Sequence, residues 1–347
     1  SVEVNGDIFH NLHLFANPID KFRPSDKEIQ RALKKKKGSN LIYFGPGVHN
    51  LPNDTLFVTS GTTVYIDGGA RVYGNIFTEG AHDVNIFGRG EVHPDGRGAG
   101  VWVRRSKNVR IDGIVVSQLP IGQCDSVELM NVKSISYYGW GYGMDVFSSS
   151  NVILDGVFCR NSDDCAAVYA STQGFKGGSN NVLVKNATLW ADVAHPINIG
   201  GHGDPNGMDT VQNVTFRNID ILDQAEKQID YQGCLAINPG DNTLVRNITF
   251  ENIRIEDFRN GQLVNFRISF NPKYCVSTGR GIQNVLVKDV TYNGSGENLS
   301  IIAGYDENHK ISGIWFVNLV VNGRKITDDM PGKPKWYKTG DMAGILV

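Results

Sequence analysis

The stretch RNSDDCAAVYAS, residues 160–171, places two adjacent carboxylates, Asp163 and Asp164, directly before a small apolar run. The run is typical of a buried strand, and a buried carboxylate is costly unless charges or hydrogen bonds stabilise it. The pair is therefore either a solvated turn or part of a reactive site. Carboxyl groups held a few ångströms apart suit glycosidic bond cleavage, in which one donates a proton and another activates water.

Four strand-like segments align with the run that follows Asp164. They are MDVFSS (144–149), AAVYAS (166–171), INIGGH (197–202) and LAINPG (235–240). In this register one column contains Asp145, Ala167, Asn198 and Ala236, and a second column contains Tyr142, Asp164, His195 and Gly233. Stacked strands lie about 4.8 Å apart, so we expect Asp145 and Asn198 about 10 Å apart, with a hollow over Ala167 between them.

These columns predict a catalytic group of Asp163, Asp164 and Asp145. Repulsion between carboxylates in a cleft separates their pKa values, which lets one stay protonated while another stays ionised. His195 lies one coil beyond Asp164 and is expected to hold one carboxylate in the required charge state. A solvated turn remains the alternative for the isolated Asp-Asp pair, and the neighbouring columns favour the reactive site.

The elements that must position these residues come from a repeat. A phrase of Asn or Asp, then Val or Ile, then alternating apolar residues begins at 83, 108, 131, 151, 181, 213, 247 and 284. Near-constant spacing with growing insertions is typical of a solenoid, and the Val- and Ile-rich alternation indicates strands. We therefore predict an all-β fold, a right-handed parallel β-helix of roughly ten coils over residues 39–325. A sandwich or barrel would not repeat one phrase in the same register.

The two ends of the chain are predicted to flank this β-helix. In PSDKEIQRALKKKKG, Ser25 and Glu28 form a capping-box pattern and Gly38 is a stop signal, which predicts a helix over residues 26–37. We expect residues 1–38, an N-terminal segment with this helix, to cover the open end of the coil. Residues 326–347 are expected to form a tail packed on the β-helix.

Composition reduces the classes of partner that we expect for this chain. The formal net charge is −2, which gives no electrostatic reason to expect nucleic acid or an anionic membrane. No apolar run approaches the length of about 18 residues needed to span a bilayer. Five cysteines show no metal-ligand spacing, so neither a metal nor a cofactor is expected. Cys159 and Cys165 either form a disulfide or remain buried thiols, and we expect a monomer rather than an oligomer.

The segments MDVFSSSNV, NSDDCAAVYAS and AHPINIGG resemble glycoside hydrolase family 28, the polygalacturonases, and their distant dextranase-like relatives in family 49. The resemblance covers residues 40–320 at the level of fold and 140–240 at the level of motif. It places the family's Asp-Asp pair on Asp163 and Asp164, and the histidine of its Gly-His-Gly on His195. It implies a polysaccharide or oligosaccharide substrate, Asp163 as general acid, Asp164 as general base, inversion at the anomeric carbon, and a secreted or periplasmic location.

Two departures from the family pattern affect the expected chemistry. The third carboxylate of the family's Asn-Thr-Asp falls on Tyr142, which makes Asp145 the nearest substitute. The family's Arg-Ile-Lys, which holds a substrate carboxylate, falls on Ala236, Ile237 and Asn238. We therefore predict a neutral or non-pectate glycan. The predicted substrate-binding residues are His195, Asn198, Tyr142, Asn238 and Arg267, the last from a later coil.

Two other functions remain open from the sequence. A polysaccharide lyase would need a uronate substrate and a Lys or Arg at the reacting carbon, and the aligned columns contain neither cation. A non-catalytic carbohydrate-binding β-helix is kept open by Tyr142. The opening SVEVNGDIFHNLHLFANP also resembles the exit from an N-terminal β-domain of dextranase-like proteins, so we expect that most of such a domain is missing from this chain.

Overall fold

A computed structural model describes residues 1–34, 38–96, 98–228, 232–295, 298–329 and 337–338. In these residues the chain winds into a coil of parallel strands, with antiparallel strand pairs near its two ends and isolated antiparallel bridges in between. The strands form three ladders, one on each face of the coil, and apolar side chains from all three faces fill a single continuous core. The predicted parallel β-helix is confirmed, whereas its number of coils stays a prediction.

The first face contains the strands that carry the repeated phrase. Alternate residues point inward, so that Val84, Val109 and Val127 stack directly on one another in successive coils. The strands of this face are β3 (Leu41–Phe44), β5 (Thr63–Ile66), β7 (His82–Gly88), β10 (Lys107–Asp112), β13 (Asp125–Met130), β16 (Ser150–Asp155), β19 (Ser179–Ala191), β21 (Thr210–Asp223), β23 (Leu244–Ile255), β25 (Gly281–Tyr292) and β27 (Lys310–Val321).

The second face continues around a corner from the first. The long strands from β19 onward bend at this corner and take part in both faces. The shorter members of the second face are β4 (Gly47–Val58), β6 (Ala70–Glu79), β8 (Glu91–His93), β11 (Val115–Val116), β14 (Lys133–Ile135) and β17 (Phe158–Asn161).

The third face carries the predicted site. It begins with the last residues of β4 and β6. It continues with short strands, and a loop after each of them leads the chain into the next coil. These strands are β9 (Val101–Arg104), β12 (Ile121–Gly122), β15 (Val146–Phe147), β18 (Ala166–Tyr169), β20 (Ile197–Ile199), β22 (Leu235–Ile237), β24 (Val264–Arg267), β26 (Ser300–Ala303) and β29 (Tyr337–Lys338).

The asparagines of the repeat turn the chain at a corner. Asn151, Asn181 and Asn247 all have φ near +57°, a left-handed conformation that asparagine tolerates better than most residues. Their amides also form a ladder between coils, in which Asn181 Nδ2 donates to Asn151 Oδ1 at 2.7 Å. The repeat therefore reflects both a backbone requirement and a side-chain hydrogen bond.

One member of the predicted repeat lies elsewhere. The phrase that begins at Asn131 was expected to align with those at 108 and 151, but Val127 is the partner of both Val109 and Val152. Ser126 therefore occupies the first corner in this coil, also with positive φ. Asn131 instead follows β13 at the second corner, where its Nδ2 donates to Asp112 Oδ2 at 3.2 Å. Two similar corners in each coil made the two registers indistinguishable in sequence.

The N-terminal segment runs alongside the coil. It contains the hairpin β1 (Val2–Val4) and β2 (Asp7–Leu12) and the helix α1 (Asp26–Leu33). The capping box of Ser25 and Glu28 is confirmed. The helix ends four residues earlier than predicted, and residues 35–37 lie outside the described part of the chain. The helix contacts β3, the first strand of the coil. Its role as a cap over the end of the coil stays a prediction.

The C-terminal end is described only in part. After β27, the chain reverses into β28 (Arg324–Lys325), which pairs with β27 in antiparallel fashion. Ile326 packs against the core, and β29 joins the third face beside β26. The rest of the predicted tail, residues 330–336 and 339–347, lies outside the described residues.

All five cysteines are free thiols, so the alternative of a Cys159–Cys165 disulfide does not hold in this structure. Both side chains are buried in the core of the coil. Within the described residues, no helix has the length and apolar character needed to cross a membrane.

Candidate active site

The predicted columns exist on the third face. Ala167 pairs with Asn198, and Asn198 pairs with Ala236, in neighbouring strands. Val146 pairs with Val168, which places Asp145 beside Ala167, whose backbone N donates to Asp145 Oδ1 at 3.2 Å. The structure extends the column by one buried residue, Asn265, which the sequence prediction missed.

Asp164 is a buried carboxylate with a complete set of donors. Its Oδ1 accepts from the His195 backbone N at 3.1 Å and lies 2.7 Å from His195 Nδ1. Its Oδ2 accepts from the Tyr169 hydroxyl at 2.6 Å and from Asn198 Nδ2 at 3.0 Å. Burial alone would raise the pKa of Asp164, but the charge of His195 and these hydrogen bonds outweigh it and lower the pKa. Asp164 is therefore held in its ionised form.

Asp163 has the opposite electrostatic character. It is half-buried, and burial together with the negative charge of Asp164 raises the pKa of Asp163 to about 7. One of its oxygens accepts from the Asp164 backbone N at 2.9 Å, which partly offsets this rise. Two adjacent aspartates thus differ in protonation near neutral pH, as an acid catalyst and an ionised partner must.

Asp145 is enclosed beneath the same face. Only 1 % of its surface is exposed, and burial, with the charges of Asp164 and Asp163, raises the pKa of Asp145 well above its ordinary value. A neutral acid without access to water is poorly suited to replace the carboxylate that the family has at Tyr142. This burial counts against the predicted catalytic role of Asp145.

Tyr142 lies close enough to the three aspartates to respond to their charges. Burial, followed by the charges of Asp163, Asp145 and Asp164, raises the pKa of its hydroxyl. The phenol therefore stays protonated and presents an O–H donor where the family has a carboxylate. Upstream of Tyr142, Tyr137 and Trp140 are each 66 % exposed, so they are available to contact a ligand and are not core residues.

The positions of the family's two cations are neutral in this chain. Ala236 is fully buried and Asn238 is 5 % exposed. Asn238 Nδ2 donates to Asn265 Oδ1 at 3.1 Å and to the backbone O of Arg267 at 3.4 Å. The predicted residue Arg267 ends β24, one coil beyond Asn238, and is half-buried. Among the residues that the structure describes, no group of three His, Cys, Asp or Glu side chains is arranged to hold a metal ion.

A loop after β21 adds an acidic residue that sequence analysis missed. Ala225 forms a bridge with Ala194, next to His195, and Glu226 follows with only 6 % exposure. Glu226 Oε1 accepts from the Gln228 backbone N at 2.7 Å, and Gln228 Nε2 donates to the Tyr274 hydroxyl at 3.0 Å. This loop lies between two repeats, where no aligned column indicated which side chains would reach the site.

Relatives of known sequence match more than half of the chain. A polygalacturonase of Juniperus ashei is 26 % identical over 216 residues, which cover 60 % of this chain and 39 % of the relative. A probable endo-xylogalacturonan hydrolase A of Aspergillus fumigatus is 27 % identical over 199 residues, covering 57 % of this chain and 42 % of the relative. The chain thus spans about two fifths of the length of these curated relatives.

Solved structures share the fold at low sequence identity. A family 28 exopolygalacturonase of Yersinia enterocolitica superposes with a TM-score of 0.66 at 13 % identity, covering 91 % of this chain and 74 % of that one. PfbA, a surface adhesin of Streptococcus pneumoniae, superposes with a TM-score of 0.55 at 14 % identity, covering 85 % and 74 %. Because the same fold occurs in an adhesin, the fold by itself does not decide between catalysis and binding.

The match at the level of family is more specific than the shared fold. Residues 102–330 match the family model of glycosyl hydrolases family 28, and this range contains all the residues of the candidate site. The chain belongs to glycosyl hydrolases family 28.

Proposed function

We propose that the chain is a glycoside hydrolase that cleaves a polysaccharide or oligosaccharide with inversion, using Asp163 as the general acid. The observation that carries this proposal is the split between two adjacent carboxyl groups. The pKa of Asp163 is raised to about 7, while the pKa of Asp164 is lowered by His195 and by donors on both of its oxygens. Membership of family 28 supports the same chemistry.

In the proposed reaction, the glycan lies along the third face above Ala167. Asp163 donates its proton to the glycosidic oxygen while the bond between that oxygen and the anomeric carbon breaks. A water oxygen bonds to the anomeric carbon from the opposite side, and a carboxylate takes the proton of that water. Burial and the fixed negative charge of Asp164 keep the proton on Asp163 until the substrate binds. The predicted role of Asp164 as the base stays a prediction.

We also propose that the substrate carries no carboxylate at the subsite over Ala236 and Asn238. Neither side chain is a cation, and a uronate buried there would lack a charged partner. The side-chain oxygens of Asn198 and Asn238 are buried without a hydrogen-bond partner among the described residues. Their partial negative charge further disfavours an anion at this place.

A polysaccharide panel tests this function. The chain is incubated with neutral and acidic glycans, and reducing ends, ultraviolet absorbance of unsaturated products and product sizes are followed. We expect new reducing ends without unsaturated products, inverted anomers in the nuclear magnetic resonance spectrum of early products, and poor cleavage of polygalacturonate. Asp163→Asn should lower the rate about 10²–10⁴-fold, as loss of a general acid does. Unsaturated products would instead identify a lyase.

One observation favours a second candidate, a non-catalytic carbohydrate-binding β-helix. Tyr142 replaces a carboxylate of the family pattern, and exposed Tyr137 and Trp140 lie just upstream, as aromatic residues do in sugar-binding surfaces. Glycan binding without any product would support this alternative. In either case we propose a monomer with a glycan partner, secreted or periplasmic, and without a nucleic acid or membrane partner.

A further inference from the structure

The proposed inversion needs a second carboxylate that can accept a proton from water. Asp164 is the nearest candidate, but each of its oxygens already contacts two donors, from His195, Tyr169 and Asn198. A carboxylate with all its acceptor sites occupied is a weak base, because protonation would break hydrogen bonds. Asp145 is enclosed, and its raised pKa leaves it neutral. Neither residue is suited to activate the attacking water.

Glu226 lies two coils along the β-helix from the coil that contains Asp163. Cys165 N donates to His195 O at 2.9 Å, which stacks the chain around Asp163 on the chain around Ala194. Ala194 in turn bridges Ala225, the residue before Glu226. Two such steps correspond to about 10 Å between backbones. Inverting glycosidases hold their carboxyl groups roughly 6.5–9.5 Å apart, which is close to this spacing.

Hydrogen bonds hold one carboxylate oxygen of Glu226, and the other oxygen accepts none from the described residues. Its Oε1 accepts from Gln228 N at 2.7 Å and from Gln228 Nε2 at 3.2 Å, and its backbone O accepts from Gln232 Nε2 at 2.6 Å. None of the described residues donates a hydrogen bond to Oε2. The negative charge of Glu226 is also among the smaller causes of the raised pKa of Asp163, as expected for two carboxyl groups close in space.

We infer that Glu226 is a further catalytic residue, the base that activates water opposite Asp163. Glu226 Oε2 takes a proton from the water as the water oxygen bonds to the anomeric carbon, and the leaving oxygen takes the proton of Asp163. The family's missing carboxylate at Tyr142 is thereby replaced from another coil. This inference rests on the proposed function, because it names the base of the same reaction.

Chemical rescue with azide tests the role of Glu226. Glu226→Ala should reduce hydrolysis about 10²–10⁴-fold. Sodium azide should then restore bond cleavage and yield a glycosyl azide of inverted configuration, because azide attacks the anomeric carbon without needing a base. Gln228→Ala is the matched control, since it removes the Nε2 contact to Oε1 and keeps both the backbone contact and the carboxylate. It should lose much less activity and gain no azide product.

Glu226→Gln keeps the shape of the side chain and separates chemistry from folding. We expect it to retain the thermal stability of the unmodified chain while losing hydrolysis. Full activity of Glu226→Gln, beside an inactive Asp163→Asn, would overturn this inference and leave the proposed hydrolase intact. Azide rescue of Asp164→Ala but not of Glu226→Ala would assign the base to Asp164. If the unmodified chain cleaved no glycan, both proposals would fall together.

Discussion

At the scale of single residues, burial and the charge of Asp164 set the pH range over which Asp163 keeps its proton. The acid is competent only while protonated, so activity should be present below about pH 7 and decline as the pH rises through that value. In Asp164→Asn the repulsion is lost and burial remains, so the alkaline limb of kcat/KM should move to lower pH. Asp54→Asn, at an exposed position of β4, should leave the limb in place. An unmoved limb in Asp164→Asn would show that Asp163 is not the titrating acid.

Asp163 should also make stability depend on pH. Its folded-state pKa of about 7 exceeds the ordinary 3.8, so the folded state binds the proton more tightly than the unfolded state does. The resulting stability is complete at low pH and is lost as the pH rises toward the folded-state pKa. Asp163→Asn cannot ionise, so its Tm should exceed that of the unmodified chain at about pH 8 and approach it at about pH 4. Thermal unfolding at both pH values provides the measurement, and equal Tm differences at the two would contradict it.

At the scale of the structural element, the corner asparagines combine two contributions that substitution can separate. Asn247 has φ of +56°, donates to Asn213 Oδ1 at 3.1 Å and accepts from Asn284 Nδ2 at 3.2 Å. Asn247→Gly loses the ladder hydrogen bonds and keeps the backbone conformation. Asn247→Ala loses both, and the left-handed conformation costs it roughly 1–2 kcal/mol more. Denaturant unfolding should therefore rank alanine below glycine, and the reverse order would argue against a backbone requirement.

At the scale of the whole molecule, the buried guanidinium of Arg160 binds the N-terminal segment to the coil through hydrogen bonds. Arg160 is 6 % exposed, lies 4.1 Å from the Trp190 ring and pairs with Asp192 at 2.8 Å. Its guanidinium also donates to Ile8 O and Asn11 Oδ1, each at 2.7 Å. The second face of the coil and residues 8–11 therefore share one charged group.

Removing that group should cost much more than removing a surface arginine. Arg160→Ala removes the donor to the Ile8 carbonyl and the closer of two cations at the partly buried Asp192, which Arg259 Nη2 also approaches at 3.5 Å. We therefore expect a loss of about 3 kcal/mol in the free energy of unfolding. The control is Arg217→Ala, which breaks the exposed pair with Glu251 and should cost only about 0.5 kcal/mol. Denaturant unfolding of both variants is the measurement. Equal losses would mean that the N-terminal segment contributes little to stability.

Much of the architecture was accessible from the sequence because a β-helix repeats one local rule. Asn in a left-handed corner followed by alternating Val and Ile is required in every coil, so Asn181, Asn213 and Asn247 indicated both the strands and their order. The same register placed Ala167 beside Asn198 and Asp164 beside His195, because short strands of equal phase stack directly on one another. The misplaced phrase at Asn131 marks the limit of this rule, since the second corner satisfies it equally well.

What the sequence by itself determined was the coil, its phase, and the meeting of Asp163, Asp164 and His195 on one face. Only the tertiary structure decided what each group can do there. The enclosure of Asp145 and the four donors around Asp164 depend on packing depth, which a linear pattern does not contain. Glu226 enters the site from a loop of irregular length, where no repeat constrains the register. Periodic contacts can be predicted because every coil imposes them, whereas burial and loop contacts arise only once the whole chain is packed.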